Sequence, residues 1–226
     1  MLTLHIGNKN YSSWSLRPWV LLKARAIPFE EVLHPFDGKS AAGAFKSFSP
    51  SGRVPCLVDG PITVWDSLAI AEYVAEKHPG CWPADPAARA WARSATAEMH
   101  SGFGALRGQH SMSVGVRVEV KSRPPALLAD IARVEELWAE GLARFGGPFL
   151  TGRDFTIVDA FFCPVAFRFQ TYGVPTTSDY VKRLLDLPAM NEWYAAGLKE
   201  DFRDAGHDAD VSLIGTVVKD LRAPAR

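Results

Sequence analysis

Pro79, Pro83 and Pro86 fall within eight residues and split the chain into halves of different periodicity. Proline removes a backbone donor and pushes the preceding residue toward extended conformations, so neither a helix nor a central strand is expected to cross this segment. Upstream, the apolar period changes repeatedly. Leu2, Leu4 and Ile6 alternate with Thr3 and His5, which predicts a strand. Trp14, Leu16, Val20, Leu21 and Ala24 suit a helix over residues 12–26, and Phe29–Leu33 reads as a second strand. A loop rich in Ser, Gly and Pro covers residues 35–53. Residues 54–58 and 62–64 then form a hairpin that turns at Asp59-Gly60. Leu68, Ile70, Ala71, Val74 and Ala75 mark a helix over residues 66–77. Downstream of Pro86 the pattern is helical, over residues 87–104, 125–145, 156–172, 178–185 and 189–199. The expected division is an α/β domain of order βαβ-ββα over residues 1–79 and an all-α domain over residues 86–226. Val114, Val116, Val118 and Val120 alternate with polar or small residues, a strand period. Between two helices the stretch is expected to be an extended loop.

Composition narrows the chemistry. Lys plus Arg and Asp plus Glu are equal at 25 each, so no net field draws the chain to nucleic acid or an anionic membrane. No apolar run reaches the length of a bilayer span, and Met1 to Gly7 read as a strand, with no secretory leader. Cys56, Cys81 and Cys163 are an odd number without CxxC spacing, which fits a reduced, cytoplasmic protein. His100 and His110 lack metal-ligand spacing, and HExxH and P-loop signatures are missing, so no metal is expected. Gly102-Phe103-Gly104 follows a helix, the wrong context for a nucleotide loop.

Four short motifs carry chemistry. Ser12-Ser13-Trp14-Ser15-Leu16-Arg17 opens the first predicted helix; a serine there can cap the helix or offer its hydroxyl to an anion. Val54-Pro55 precedes a strand that a proline would not be chosen to enter. Asp66-Ser67 opens another helix, again as cap or anion site. Phe155-Thr156-Ile157-Val158-Asp159-Ala160 holds a capping box with a hydrophobic staple, which reads as structural.

In this order and spacing, the motifs and the two-part pattern resemble the cytosolic glutathione transferases, and within them the serine-type, zeta-like bacterial members. The resemblance implies a thioredoxin-like first domain that binds glutathione as co-substrate and a helical second domain that carries the electrophile. It implies a catalytic serine at Ser12, with Ser13 and Ser15 as neighbours that could take its place. Val54 and a cis Pro55 would face the cysteinyl part of glutathione. Ser67 and Asp66 would hold the γ-glutamyl end, and Arg53 and Lys39 the glycine carboxylate. A homodimer is implied as well. Trp14 inside the serine motif, and the offset of Arg168 along its helix, depart from the zeta pattern. Tyr11, Trp14, His100, Phe103, Arg107 and Arg168 are candidates for the electrophile site.

The chemistry asked of the serine is modest. A thiol of pKa ~8.5 is only a few per cent thiolate at neutral pH. Lowering it by ~2 units takes about 2.7 kcal/mol of preference for the anion. One hydrogen bond to a charged acceptor supplies about 1.5–3 kcal/mol, and a helix N-terminus up to ~2. The same site could serve a glutathione-dependent isomerase or peroxidase, and the same fold could be a non-enzymatic binding module.

Overall fold

A computed structural model describes residues 1–36 and 43–225. The N-terminal part contains β1 (Leu2–Ile6), α1 (Ser13–Ala24), β2 (Phe29–Leu33), a 3-10 turn (Ala44–Ser47), β3 (Cys56–Asp59), β4 (Ile62–Val64) and α2 (Ser67–Lys77). Its four strands lie in the order β2-β1-β3-β4, with β1 and β2 parallel and the rest antiparallel. Leu2, Leu4 and Ile6 are buried while Thr3 and His5 are half-buried, as the alternation predicts. The Val54–Pro55 peptide is cis, as expected, and so is the Trp65–Asp66 peptide.

Helices α3 (Pro86–Ser101), α4 (Gly104–Gln109), α5 (Pro125–Phe145), α6 (Ile157–Tyr172), α7 (Asp179–Leu185), α8 (Pro188–Lys199) and α9 (Ala205–Ile214) build the second part. Helix α6 is apolar on nearly every side, and burial on all sides is what such a helix requires. It packs on α1, α3 and α7, so it joins the two halves through one core. Trp138 on α5 is fully buried against Phe162 and Phe169 of α6, and Trp193 on α8 is fully buried against Trp19 of α1. Gly146 and Gly173 end α5 and α6 in the left-handed conformation at φ 64 and 55, which other residues adopt at a cost.

The capping box behaves as read. Asp159 accepts the Thr156 N–H at 2.9 Å, the Thr156 hydroxyl at 3.1 Å, the Leu150 N–H at 3.0 Å and the Tyr180 hydroxyl at 2.7 Å. The carboxyl is fully buried, which pushes its pKa up against these four hydrogen bonds.

Two sequence expectations are corrected. The valine stretch is a strand, β5 (Val116–Val120), not a loop, and it pairs antiparallel with β6 (Gly215–Asp220). The second part is therefore mostly, not entirely, helical. Its two-residue period was the true signal, and the partner that satisfies it lies at the far end of the chain. The helix expected over residues 87–104 stops at Ser101, and Phe103 turns the chain at φ 56 before α4 starts.

Candidate active site

Ser12 is the N-cap of α1, its Oγ accepting the Ser15 N–H at 3.4 Å. The Ser12 hydroxyl also donates to Ser15 Oγ at 2.8 Å. Ser15 is fully buried, and its Oγ accepts the Gly7 N–H at 3.1 Å. A Cβ at Gly7 would come within 2.4 Å of the Phe36 ring, so any other residue there would displace that ring. The three serines therefore divide. Ser12 and Ser13 line a cavity of about 490 Å³ between the two halves, whereas Ser15 lies beneath it and ties α1 to the end of β1.

The loop that delivers Ser12 is held from the other half of the molecule. Glu200, just past α8, accepts the Lys9 N–H at 2.6 Å and the Asn10 N–H at 3.2 Å. Trp193 Nε1 donates to the Lys9 carbonyl at 2.8 Å, and Asn10 Nδ2 donates to the Gly197 carbonyl at 2.5 Å. Burial raises the Glu200 pKa, and the hydrogen bonds from Lys9 and Asn10 oppose that shift.

A second cavity of about 310 Å³ adjoins the first, and Trp14 and Val54 line both. The rest of its lining includes Arg53, Pro55, Trp65 and Asp66. Asp66 caps α2 by accepting the Leu68 N–H at 2.9 Å, and its other oxygen lies 3.3 Å from His100 Nε2. Ser67 is buried behind the cap, where its Oγ accepts from Arg17 at 3.4 Å. The structure thus gathers Arg53, Val54, Pro55 and Asp66 in one cavity, with Ser67 immediately behind. Lys39 lies outside the described residues.

Tyr11, the residue before Ser12, is engaged elsewhere. Its hydroxyl donates to Asp208 Oδ1 at 3.0 Å and accepts from Arg222 Nη1 at 2.9 Å. Burial and the Asp208 carboxylate hold the phenol pKa above its ordinary value. Trp14 carries the Arg17 guanidinium at 4.2 Å and the Arg107 guanidinium at 5.1 Å from its ring centre. Arg107 hydrogen-bonds the His100 and Gly102 carbonyls, and Arg168 the Arg107 and His110 carbonyls. Among the described residues none of these three arginines has an ion-pair partner. Arg17 is pulled down to about 9 by burial and by Arg107 and Arg168. Arg168 is pulled down to about 10 by burial and by Arg107. Arg107 and Arg168 line the larger cavity, and no Asp or Glu does among the described residues.

Of the six candidates for the electrophile site, Tyr11, Trp14, Arg107 and Arg168 line the larger cavity. Phe103 is buried in the core and His100 reaches Asp66 instead. Phe36 and His207 line the cavity and were not anticipated. His207 sits on α9, whose small and polar sequence gives no apolar stripe to read, and Phe36 sits in a loop.

Comparison with known proteins now decides the family. Residues 11–77 match the family described as glutathione S-transferase, N-terminal domain, and residues 119–196 match glutathione S-transferase, C-terminal domain. The chain belongs to the glutathione S-transferase family. A curated relative described as a probable maleylacetoacetate isomerase from Caenorhabditis elegans is 26% identical over 191 residues, covering 79% of this chain and 87% of that protein. Glutathione S-transferase Z2 of Arabidopsis thaliana is also 26% identical, over 80% of this chain and 88% of its own. Among solved structures, a glutathione transferase homolog from Burkholderia GL BGR1 with bound glutathione superposes with a TM-score of 0.63 at 25% identity. It covers 87% of this chain and 97% of that one. In this transferase the serine-bearing helix, the cis-proline loop and the Asp66-Ser67 corner surround adjoining cavities. Among the described residues no group of side chains is arranged to hold a metal ion, and no helix is long and apolar enough to cross a membrane.

Proposed function

We propose that the protein is a glutathione transferase in which Ser12 stabilises the glutathione thiolate for attack on a small electrophile. The observation that carries this reading is that the two cavities share Trp14 and Val54 as lining, with Ser12 and Ser13 in the larger one. Glutathione lies in the smaller cavity: Arg53 receives its glycine carboxylate, Val54 and Pro55 its cysteinyl backbone, and Asp66 and Ser67 its γ-glutamyl end. Lys39 is assigned to the glycine carboxylate by resemblance alone. Its thiol then points toward the larger cavity, where the electrophile waits. Of the serines, Ser12 combines access with a position at the helix N-terminus, where the dipole also favours an anion. Ser13 is the alternative, and Ser15 supports Ser12 from below. The commitment of the Tyr11 hydroxyl to Asp208 and Arg222 favours serine over tyrosine as the thiol's partner.

The protein acts as a homodimer in the cytoplasm. Isomerase turnover at the same site is the second reading, favoured by the similarity to a probable maleylacetoacetate isomerase. Calorimetry with glutathione, followed by turnover assays against a panel of electrophiles, tests the proposal. Binding with turnover of at least one electrophile is expected, and no binding at millimolar glutathione would overturn it.

A further inference from the structure

Asp66 is approached at both oxygens by its own chain. Oδ1 accepts the Leu68 N–H at 2.9 Å, and Oδ2 lies 3.3 Å from Nε2 of His100, in the last turn of α3. The His100 ring is itself fixed in place. It meets the Trp14 ring edge-on, at 90° with centres 5.3 Å apart, and lies 6.2 Å from the Phe161 ring of α6. Its other nitrogen, Nδ1, is buried and has no hydrogen-bond partner among the described residues. A proton on Nδ1 would be an orphaned buried donor, so the favoured tautomer carries its hydrogen on Nε2, the nitrogen nearest Asp66. The charged surroundings act in the same direction. Burial, Arg17 on α1 and Arg107 on α4 hold the His100 pKa below 6.5, against the pull of Asp66 at the start of α2. Glu98, on the same helix as His100, is engaged by Arg133. A neutral N–H beside Asp66 orients the carboxylate and leaves its charge uncompensated. An imidazolium in that place would cancel the charge.

We propose that His100 is a positioning residue for the amino end of glutathione: neutral, it aims Asp66 at the γ-glutamyl ammonium; protonated, it competes with that ammonium for the carboxylate. The proposal rests on the transferase reading and adds control by a proton at the end of glutathione remote from the thiol. A carboxylate oxygen has two acceptor sites, so each Asp66 oxygen keeps one for the ligand while the chain holds the other. Fixing the carboxylate before the ligand arrives lowers the ordering cost of binding. Ammonium and imidazolium are both cations, and one carboxylate balances one of them. Affinity is therefore complete above pH 6.5 and declines as pH falls below it, because binding must exclude the proton from His100. The decline requires the ligand's ammonium as much as it requires the histidine.

The test is calorimetry with two ligands whose sulfur cannot ionise. One is S-methylglutathione; the other is its glutaryl analogue, the same molecule without the amino group. In the parent protein, the ratio of the first affinity to the second should drop at least about threefold from pH 7.5 to 5. One excluded proton allows up to about tenfold per pH unit. This measurement does not depend on the folding of any variant. His100→Gln keeps an uncharged N–H donor and should hold the ratio level over the same range, where any titration of Asp66 itself would persist. His100→Phe keeps a ring against Trp14 and lacks the donor. At pH 7.5 it should bind S-methylglutathione about two- to tenfold more weakly, the worth of one hydrogen bond, and the glutaryl analogue nearly as the parent does. His100→Gln should recover most of that loss. A level ratio in the parent, or the same drop in parent and His100→Gln, would overturn the proposal and leave the transferase reading standing. Equal losses for both ligands in His100→Phe would also overturn it, by making His100 a support of the fold. A parent that binds neither ligand at millimolar concentration overturns it together with the transferase reading.

Discussion

The Ser12 hydroxyl donates to Ser15 Oγ at 2.8 Å, and Ser15 Oγ in turn accepts the Gly7 N–H at 3.1 Å. A hydroxyl has one proton and two acceptor sites, so Ser15 keeps a proton of its own to offer. A thiolate arriving at Ser12 allows the pair to turn round, with Ser15 donating to Ser12 and Ser12 to sulfur. Ser12→Ala is therefore expected to slow turnover near neutral pH by about ten- to a hundredfold, the equivalent of one charged hydrogen bond. Because the hydroxyl favours the anion, its loss should move the half-point of the pH–rate profile upward, and parent and variant should converge at high pH. An unmoved profile with full activity would transfer the role to Ser13.

Asp66→Ala should act on binding. Asp66 lies in the smaller cavity, away from the serine pair, so its contact with glutathione should be the same in ground and transition states. The expected result is a raised KM for glutathione with kcat little changed. Steady-state kinetics giving the reverse split would remove Asp66 from the γ-glutamyl site.

Four histidines, one buried and three half-buried, make stability depend on pH. His5, His34, His100 and His110 all have pKa values below the ordinary 6.5, chiefly through burial. His34 also charges His5 unfavourably across a 2.8 Å contact, and Arg17 and Arg107 oppose protonation of His100. Each histidine then binds protons more readily in the unfolded chain. Their contribution is complete above pH 6.5 and is lost as pH falls below it. The raised carboxyls of Asp159 and Glu200 act in the opposite sense, so the comparison has to be with a variant. His34→Phe, which keeps an aromatic ring against Phe48, should flatten the decline of melting temperature between pH 7.5 and 5. An equally steep decline would refute the assignment to this pair.

Asp159→Ala should weaken the fold and spare glutathione affinity in whatever remains folded. It would orphan the buried donors of Leu150, Thr156 and Tyr180. Orphaned donors cost about 1–3 kcal/mol each, so a loss of about 3 kcal/mol or more is expected. For a chain of this size that is roughly 6–12 °C in melting temperature. Thermal unfolding within a degree or two of the parent would contradict it.

A homodimer should give a light-scattering mass twice the 24.8 kDa of the chain at micromolar protein. A value near 24.8 kDa would mean that each subunit completes its own site.

Sequence patterning predicted best where period and punctuation agreed. Helix α5 was delimited at both ends because Pro125 can start a helix, Gly146 can end one, and the apolar stripe between them is regular. Strand β5 was misread because a two-residue period says nothing about where a partner lies. Helix α9 went unseen because only Val211 is buried along it. The serine, Val-Pro and Asp-Ser motifs were legible since each is a local spacing at an element boundary. Arg107 and Arg168 were legible as candidates, but not their convergence without a balancing carboxylate, because they meet across 61 residues of chain.

The ribbon of β5 and β6 also sets an order of assembly. Val116 lies opposite Asp220 and Val120 opposite Gly215, so β5 leaves the ribosome long before the strand that satisfies its backbone. Until then its N–H and C=O groups are an unpaired edge, the kind of surface on which nascent chains aggregate. Arg222, just after β6, holds Asp208 at 2.7 Å beside Tyr11. Closing the ribbon thus brings the last side chain of that network onto Tyr11, which lines the cavity. The site reaches its final form only after Arg222 has been synthesised, and a premature stop before Gly215 would leave Tyr11 and Asp208 without that cation.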